Sequence, residues 1–513
     1  MSRRRADRLA FPVVVLLLLV TLPSFVFVAP VTTKAQSSET TPGALVVCET
    51  CEYVSIQAAL ADAPAGSTIE VRDGDYAGPL VINQPVHLIG IDEPVIDGHD
   101  QGTVVRIEAS DVTIEGFTIQ NSGRNFDKED SAVYVEGERV SILDNQMLDA
   151  LFGVNAALAH DLLIEGNTIV GQDVDMGIRG DGIKVWYSHR TRIISNTIRQ
   201  SRDLLVWYSD DVEIRENTVH SGRYGFHFMN SNNGIAEHNR LYDNSVGIYL
   251  MYGKGFIIRD NLLQGSRGPS GHGIGLKEID QVEVEGNIIY DNRIGAFIDN
   301  SPLSPLVTNT FRRNLFSYND IGIGLLPSTH DTLFSENSFV DNQEQVSVLG
   351  GGSTGEIQWS ENGRGNFWSD YAGYDADGDG IGDIAFRSER LSEQLMSSWP
   401  ILRLFRFSPA EAAVDFGAKA VPMFRQDPVV IDEYPLVEQV FPANAALPAH
   451  VPDRTSAQVQ AIGMLAVVIA VFMWAWRGSR CPTSIRRNGE PHAKRGERPP
   501  GSEPPVSMTE GRP

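Results

Sequence analysis

Down the middle of the chain, apolar and polar positions alternate in short bursts rather than in helical stripes. A seven-residue block recurs: GVNAALA from Gly153, GIKVWYS from Gly182, DLLVWYS from Asp203, GFHFMNS from Gly225, GIYLMYG from Gly247, GIGLKEI from Gly273, GAFIDNS from Gly295 and GIGLLPS from Gly322. Positions two and four are apolar in every row, whereas three and five are unrestricted. A period of two over so short a run predicts a strand with one buried face, not an amphipathic helix. Triplets such as Val112 to Ile114, Val212 to Ile214 and Val282 to Val284 predict further short strands between the blocks.

A second phrase, Asn followed by any residue and then an apolar one, recurs at Asn145, Asn167, Asn196, Asn217, Asn239, Asn261, Asn287, Asn314 and Asn337, at steps of 21 to 29 residues clustering near 22. A fixed period of this size marks a solenoid, whose repeats bury their apolar faces only by stacking on one another. About 22 residues per turn accommodates three short strands joined by bends, so the expectation is an all-β, right-handed parallel β-helix over 45–364. Equivalent side chains then stand about 4.8 Å apart in columns, and the asparagines form a hydrogen-bonded ladder at one bend. They are scaffold, not chemistry.

The ends read differently. Arg3, Arg4, Arg5 and Arg8 precede an apolar run from Phe11 to Val28, with small residues near Ala35, the layout of a secretory signal over 1–35. An irregular segment is expected over 365–455. Residues 457–476 approach the length a membrane helix needs, and Arg477, Arg480, Arg486, Arg487, Lys494, Arg495 and Arg498 follow. The positive-inside rule makes 477–513 a disordered, basic cytoplasmic tail and leaves the solenoid outside the cytoplasmic membrane, anchored by that helix. The net charge of −24 argues against a nucleic-acid partner. Cys48 and Cys51 form a CxxC at the entrance to the repeats, read as a disulfide or a pair of thiols at the cap rather than as a metal or redox pair.

One loop carries a metal pattern. In DADGDGIGD, Asp375, Asp377, Asp379 and Asp383 occupy positions 1, 3, 5 and 9 of a calcium-type loop, with Gly380 at the sharp turn of position 6. Position 12 is Phe386, which supplies no carboxylate. Bound calcium would pin the segment after the solenoid; the bland reading is an Asp/Gly turn without an ion.

The phrases DGIKVWYS (Asp181 to Ser188), RYGFHFMNS (Arg223 to Ser231), VGIYLMYG (Val246 to Gly253), HGIGLK (His272 to Lys277) and GNFWSDYAGYDADGDGIGD (Gly365 to Asp383), in this order, resemble the NosD family. That resemblance implies a periplasmic β-helix protein, not an enzyme, that assists maturation of the copper sites of nitrous oxide reductase. Its implied partners are an ABC transporter, a copper chaperone and the reductase itself. Where the family usually reads Met-Tyr-Ser, this chain has Met229-Asn230-Ser231 and Met251-Tyr252-Gly253.

On the aligned blocks, positions three and five point outward together, giving Lys184 and Trp186, Leu205 and Trp207, His227 and Met229, and Tyr249 and Met251 in successive coils. An exposed apolar stripe marks a partner or ligand site. Trp186, Leu205, Trp207 and Tyr249 are read as partner surface. His227, Met229 and Met251 are read as a transient copper contact, because thioethers suit Cu(I). The stripe fades at Lys277 and Asp299. A rival class is a carbohydrate-active lyase, epimerase or hydrolase, or a glycan-binding protein, on the same fold. Its candidate carboxylates would be Asp173, Asp175, Asp181, Asp210 and Asp211, though no motif fixes acid, base and subsite together.

Overall fold

The computed structural model describes residues 43–442, apart from short stretches between 351 and 355, between 389 and 398, at 406–407 and at 421–427. The described chain winds into a parallel β-solenoid. Its three faces are sheets of fourteen, twelve and thirteen strands, and within each sheet every strand pairs with its equivalent one coil away. The recurring block builds the 12-stranded sheet, and the register aligns Lys184, Leu205, His227 and Tyr249 in one column and Trp186, Trp207, Met229 and Met251 in the next. The triplets build the 14-stranded sheet, as with Glu213–Arg215 and Asp280–Glu285.

Positions two and four of the block point inward. Ile183, Val185, Leu204, Val206, Phe226, Phe228, Ile248 and Leu250 are all buried in one continuous core. Each such side chain contributes roughly 1.5–3 kcal/mol by leaving water. The glycine that opens most rows is required by close packing between coils: a Cβ on Gly247 would stand 2.4 Å from the carbonyl oxygen of Gly273.

Each bend of the coil is tied by a row of side chains. Between the 14- and 13-stranded sheets the buried asparagines link head to tail: Asn196 Nδ2 donates to Asn217 Oδ1 at 3.0 Å and Asn217 Nδ2 to Asn239 Oδ1 at 3.1 Å. The backbone N–H groups use the same acceptors, as from Asn196 to Asn217 at 2.8 Å. A second asparagine row, Asn292, Asn319 and Asn342, ties the next bend. A serine row at block position seven ties the third, with Ser188 N donating to Ser209 Oγ at 2.9 Å and Ser209 N to Ser231 Oγ at 3.1 Å.

The two ends are capped differently. The helix Ile56–Asp62, with Ser55 capping Ala58 N, lays Ile56, Ala59 and Leu60 over the first coils, and Cys48 and Cys51 are joined by a disulfide beside it. At the other end the coils run past the expected boundary at 364, because Asn366 is one more rung and Phe367–Trp368 pairs with the coil before it. Trp368 is sandwiched between Phe339 and Phe386, both 4.4 Å away. Phe386 belongs to a two-stranded antiparallel sheet, Phe386–Ser388 with Val430–Asp432.

Among the described residues no helix is long and apolar enough to cross a membrane. The expected signal (1–35), membrane helix (457–476) and basic tail (477–513) lie outside the described residues.

Candidate metal and partner face

The outward side of the 12-stranded sheet is less open than the alternation of the block predicts. Trp186 is exposed and Lys184, Trp207, Met229, Tyr249 and Met251 are half-buried, but Leu205 and His227 are buried, at 7% and 9% exposure. Leu205 lies between the longer Lys184 and His227 in its column. His227 is drawn down by two contacts: its Nδ1 lies 3.1 Å from Asp203 Oδ2, and its ring packs edge-on against Tyr224 at 4.8 Å. The expectation of a uniformly exposed stripe is corrected accordingly.

The missing exposure reappears one residue further on. Position six of the block adopts a left-handed conformation in coil after coil: Leu158, Tyr187, Tyr208, Asn230, Tyr252, Glu278 and Asn300 all have φ between 47° and 60°. That turn throws the side chain outward, so Leu158, Tyr187, Tyr208 and Tyr252 are among the exposed large apolar residues. Tyr187 and Tyr208 stack at 4.9 Å, and Trp186 and Trp207 pack against them. Counting every second position from the start of the block missed this column. The aromatic letter at position six was its only sequence signal.

Beneath the stripe lies a charged layer. Asp203 is fully buried and accepts from Arg223 Nε at 2.9 Å, from Arg223 Nη2 and from His227. Burial opposes its ionisation, yet the hydrogen bonds from His227 and Arg223 hold its carboxyl below the usual range. One coil earlier Asp181, equally buried, takes Arg202 at 3.0 Å and 3.3 Å, and burial with the nearby Asp203 charge pushes it up to about 7. Glu129, from the loop ahead of the sheet, bridges Asn155 Nδ2 at 2.8 Å and Lys184 Nζ.

An ionised carboxylate only accepts, so His227 Nδ1 carries a proton. Nε2 is buried and meets no hydrogen-bond partner. Two coils on, His272 is also buried with Nδ1 unpartnered, between Tyr249 and Phe297. Burial, with Arg293 nearby, lowers its pKa to about 3, so it is a neutral ring.

The other candidates separate. Asp375, Asp377 and Asp379 converge, with one oxygen from each within 4.8 Å of the others, and they are the one such acidic or His/Cys group among the described residues. Asp383 does not join them; its Oδ2 accepts Ala376 N at 2.8 Å. Asp210 and Asp211 accept from Asn232 and Asn233 one coil on, as turn residues. Asp173 and Asp175 are exposed.

A family described as periplasmic copper-binding protein (NosD) matches residues 165–373, and a domain of unknown function matches residues 83–210. A protein of Stutzerimonas stutzeri named probable ABC transporter binding protein NosD is 32% identical over 382 residues, 71% of this chain and 85% of that protein. Its namesake in Pseudomonas aeruginosa is 30% identical over 392 residues, 71% of this chain and 86% of that protein. The chain belongs to the NosD family. Among solved structures, the A-module of the Azotobacter vinelandii mannuronan C-5 epimerase AlgE6 is 15% identical with a TM-score of 0.45, over 60% of this chain and 93% of that one. A Yersinia enterocolitica family 28 exopolygalacturonase is 10% identical with a TM-score of 0.43, over 60% and 74%. Within the NosD match of 165–373 fall both the charged layer of Asp181, Asp203 and His227 and the aromatic column of Tyr187 and Tyr208.

Proposed function

We propose that this NosD-family chain is a non-catalytic periplasmic accessory protein in assembly of the copper sites of nitrous oxide reductase, working with an ABC transporter and a copper chaperone. In this reading the outer face of the 12-stranded sheet takes Cu(I) as cargo at His227, Met229 and Met251. Trp186, Trp207 and Tyr249, with Tyr187 and Tyr208 beside them, meet the protein partner. A cleaved leader and the apolar stretch 457–476 deliver and tether the solenoid outside the cytoplasmic membrane.

The observation that carries the reading is His227. A buried imidazole whose Nδ1 is tied to a carboxylate and whose Nε2 has no partner is costly unless something completes it. In the adjoining outward column stand two thioethers, Met229 and Met251, paired in register. An imidazole nitrogen and two soft sulfurs suit Cu(I) better than they suit a hard cation. The family's description as copper-binding and the relatives' name as ABC transporter binding proteins agree with this. Against a sugar-acting enzyme, Asp181 and Asp203 are sealed behind arginines, leaving neither carboxylate at the surface for a substrate.

The test is an anaerobic Cu(I) titration of the purified protein against a competing chelator, with the His227/Met229/Met251 triple Ala variant beside it. Saturable binding lost in the variant supports cargo binding at this face. Equal binding in both proteins would remove the site. The loop of Asp375, Asp377 and Asp379 is read as a structural calcium site, checked by whether Ca²⁺ raises the thermal midpoint of the wild type but not of Asp375→Asn.

A further inference from the structure

Asp203 breaks a rule of the scaffold. It occupies the place that Gly182 holds one coil earlier, at the block position that the other seven rows give to glycine, and the register shifts beside it, with Gly225 and Phe226 together facing Leu204. An aspartate there forfeits close coil packing and buries a charge, and such departures from local consistency concentrate at functional sites. What it gains is visible: both carboxylate oxygens are held by Arg223, and Oδ2 also takes the Nδ1 proton of His227.

We infer that Asp203 is the positioning residue of the copper face: it fixes His227 as the Nδ1–H tautomer, so that Nε2 keeps its lone pair for the metal on the face that carries Met229 and Met251. This rests on the copper reading above. A carboxylate behind a ligating histidine fixes both the tautomer and the ring orientation, and removing such a partner typically weakens metal binding roughly 10–100-fold. Arg223 in turn keeps Asp203 from rotating. Its side chain is 38% exposed, so it closes the carboxylate from the solvent side.

Asp203→Asn is the discriminating change because it is isosteric. Oδ1 serves Arg223 Nε at 2.9 Å and Tyr224 N at 3.3 Å, so the single oxygen of the amide is needed there. The NH₂ group then replaces Oδ2, which costs Arg223 Nη2 its acceptor, and it faces His227 Nδ1, which must become the acceptor, so the ring proton moves to Nε2. Histidine ¹⁵N spectra of the full-length metal-free protein read the tautomer directly, and Cu(I) competition reads its consequence. The expected result is a switch of His227 to the Nε2–H form with Cu(I) affinity lowered roughly 10–100-fold. An unchanged tautomer, or a switched tautomer with affinity within twofold of wild type, overturns the inference. A merely structural Asp203 would change the melting midpoint and leave the tautomer alone. Should His227→Ala bind Cu(I) like wild type, the copper reading fails by itself, while the metal-free spectra still report whether Asp203 governs the ring. Asp203→Ala, read by the same spectra, serves as the second variant: with no acceptor behind Nδ1, the pure Nδ1–H form is lost if the inference holds and retained if it does not.

Discussion

Asp432 receives the backbone N–H of Asn366 at 2.7 Å, the same bond that each earlier asparagine of the row makes to the amide oxygen of the next. The row therefore ends on a carboxylate that arrives from a strand 66 residues later in sequence. An acceptor-only group suits a last rung, because four donors converge on it: Asn366 N, Asn366 Nδ2 at 3.5 Å, Trp368 Nε1 at 2.9 Å and Tyr434 N at 3.1 Å. The segment after the coils is thus a cap rather than an appendage.

Asp432→Ala leaves those buried donors without an acceptor and is expected to cost about 3 kcal/mol. Because solenoid stability is distributed over nearest-neighbour coils, the loss should be local. Hydrogen exchange should rise in the strands Ser338–Val340 and Phe367–Trp368 and stay unchanged around Glu213–Arg215. Uniform loss of protection, or none, would refute the role of a terminal rung.

His272 gives a pH prediction with a defined sign. Its folded pKa of about 3 lies below the ordinary value of 6.5, so the unfolded chain binds the extra proton between those limits. Stability contributed by the neutral ring is fully present above pH 6.5 and drains away as the pH falls toward 3, with an upper bound of roughly 5 kcal/mol. His272→Phe keeps a ring between Tyr249 and Phe297 while removing the titration. The difference in melting midpoint between variant and wild type should therefore widen in favour of the variant from pH 7 to pH 4; a constant difference would contradict the assignment.

The aromatic column at position six can be removed with little harm to the fold. Tyr187 and Tyr208 sit at φ of 47° and 48°, where asparagine is more at ease than tyrosine, and Asn230 already fills the equivalent place two coils after Tyr187. Tyr187→Asn with Tyr208→Asn should change stability by less than about 1 kcal/mol. Under the proposed docking role, binding to the immobilised reductase or transporter complex should fall. Retained affinity would move the docking surface elsewhere.

The period, the strand order and the inward columns were legible because burial forces a strict alternation: Ile183, Val206, Phe228 and Leu250 had no other residue types to be. The asparagine row was legible for the same reason, since an unpaired buried amide is costly and repeats wherever the bend repeats. Outward residues obey no such rule. His227 was expected at the surface and is buried, because its position depends on Asp203, 24 residues earlier, a pairing that exists only once the coils stack. The signal was present as the one row that opens on aspartate instead of glycine. Asp432 left no periodic trace at all, since it enters the asparagine row from outside the repeat. The calcium-type spacing grouped Asp383 with Asp375, Asp377 and Asp379, but only the last three stand together, and Phe386 at position 12 is taken by core packing on Trp368.

The burial of His227 changes what its variants should do to the fold. Triple replacement of His227, Met229 and Met251 would leave the solenoid intact only if all three stood outside the core. Met229 and Met251 are half-buried at the rim of the sheet face, so Met229→Ala with Met251→Ala should cost about 1 kcal/mol or less. His227→Ala differs: it deprives a fully buried carboxylate of a charge-assisted partner, leaving Arg223 and Tyr224 N to hold Asp203, and should cost about 1.5–3 kcal/mol. Chemical denaturation of the three proteins separates the terms. The methionine pair is then the cleaner probe of copper, because it removes the sulfur donors without disturbing the charged layer. If the double variant unfolds as readily as His227→Ala, the thioethers are packing residues, and the case for them as ligands loses its footing.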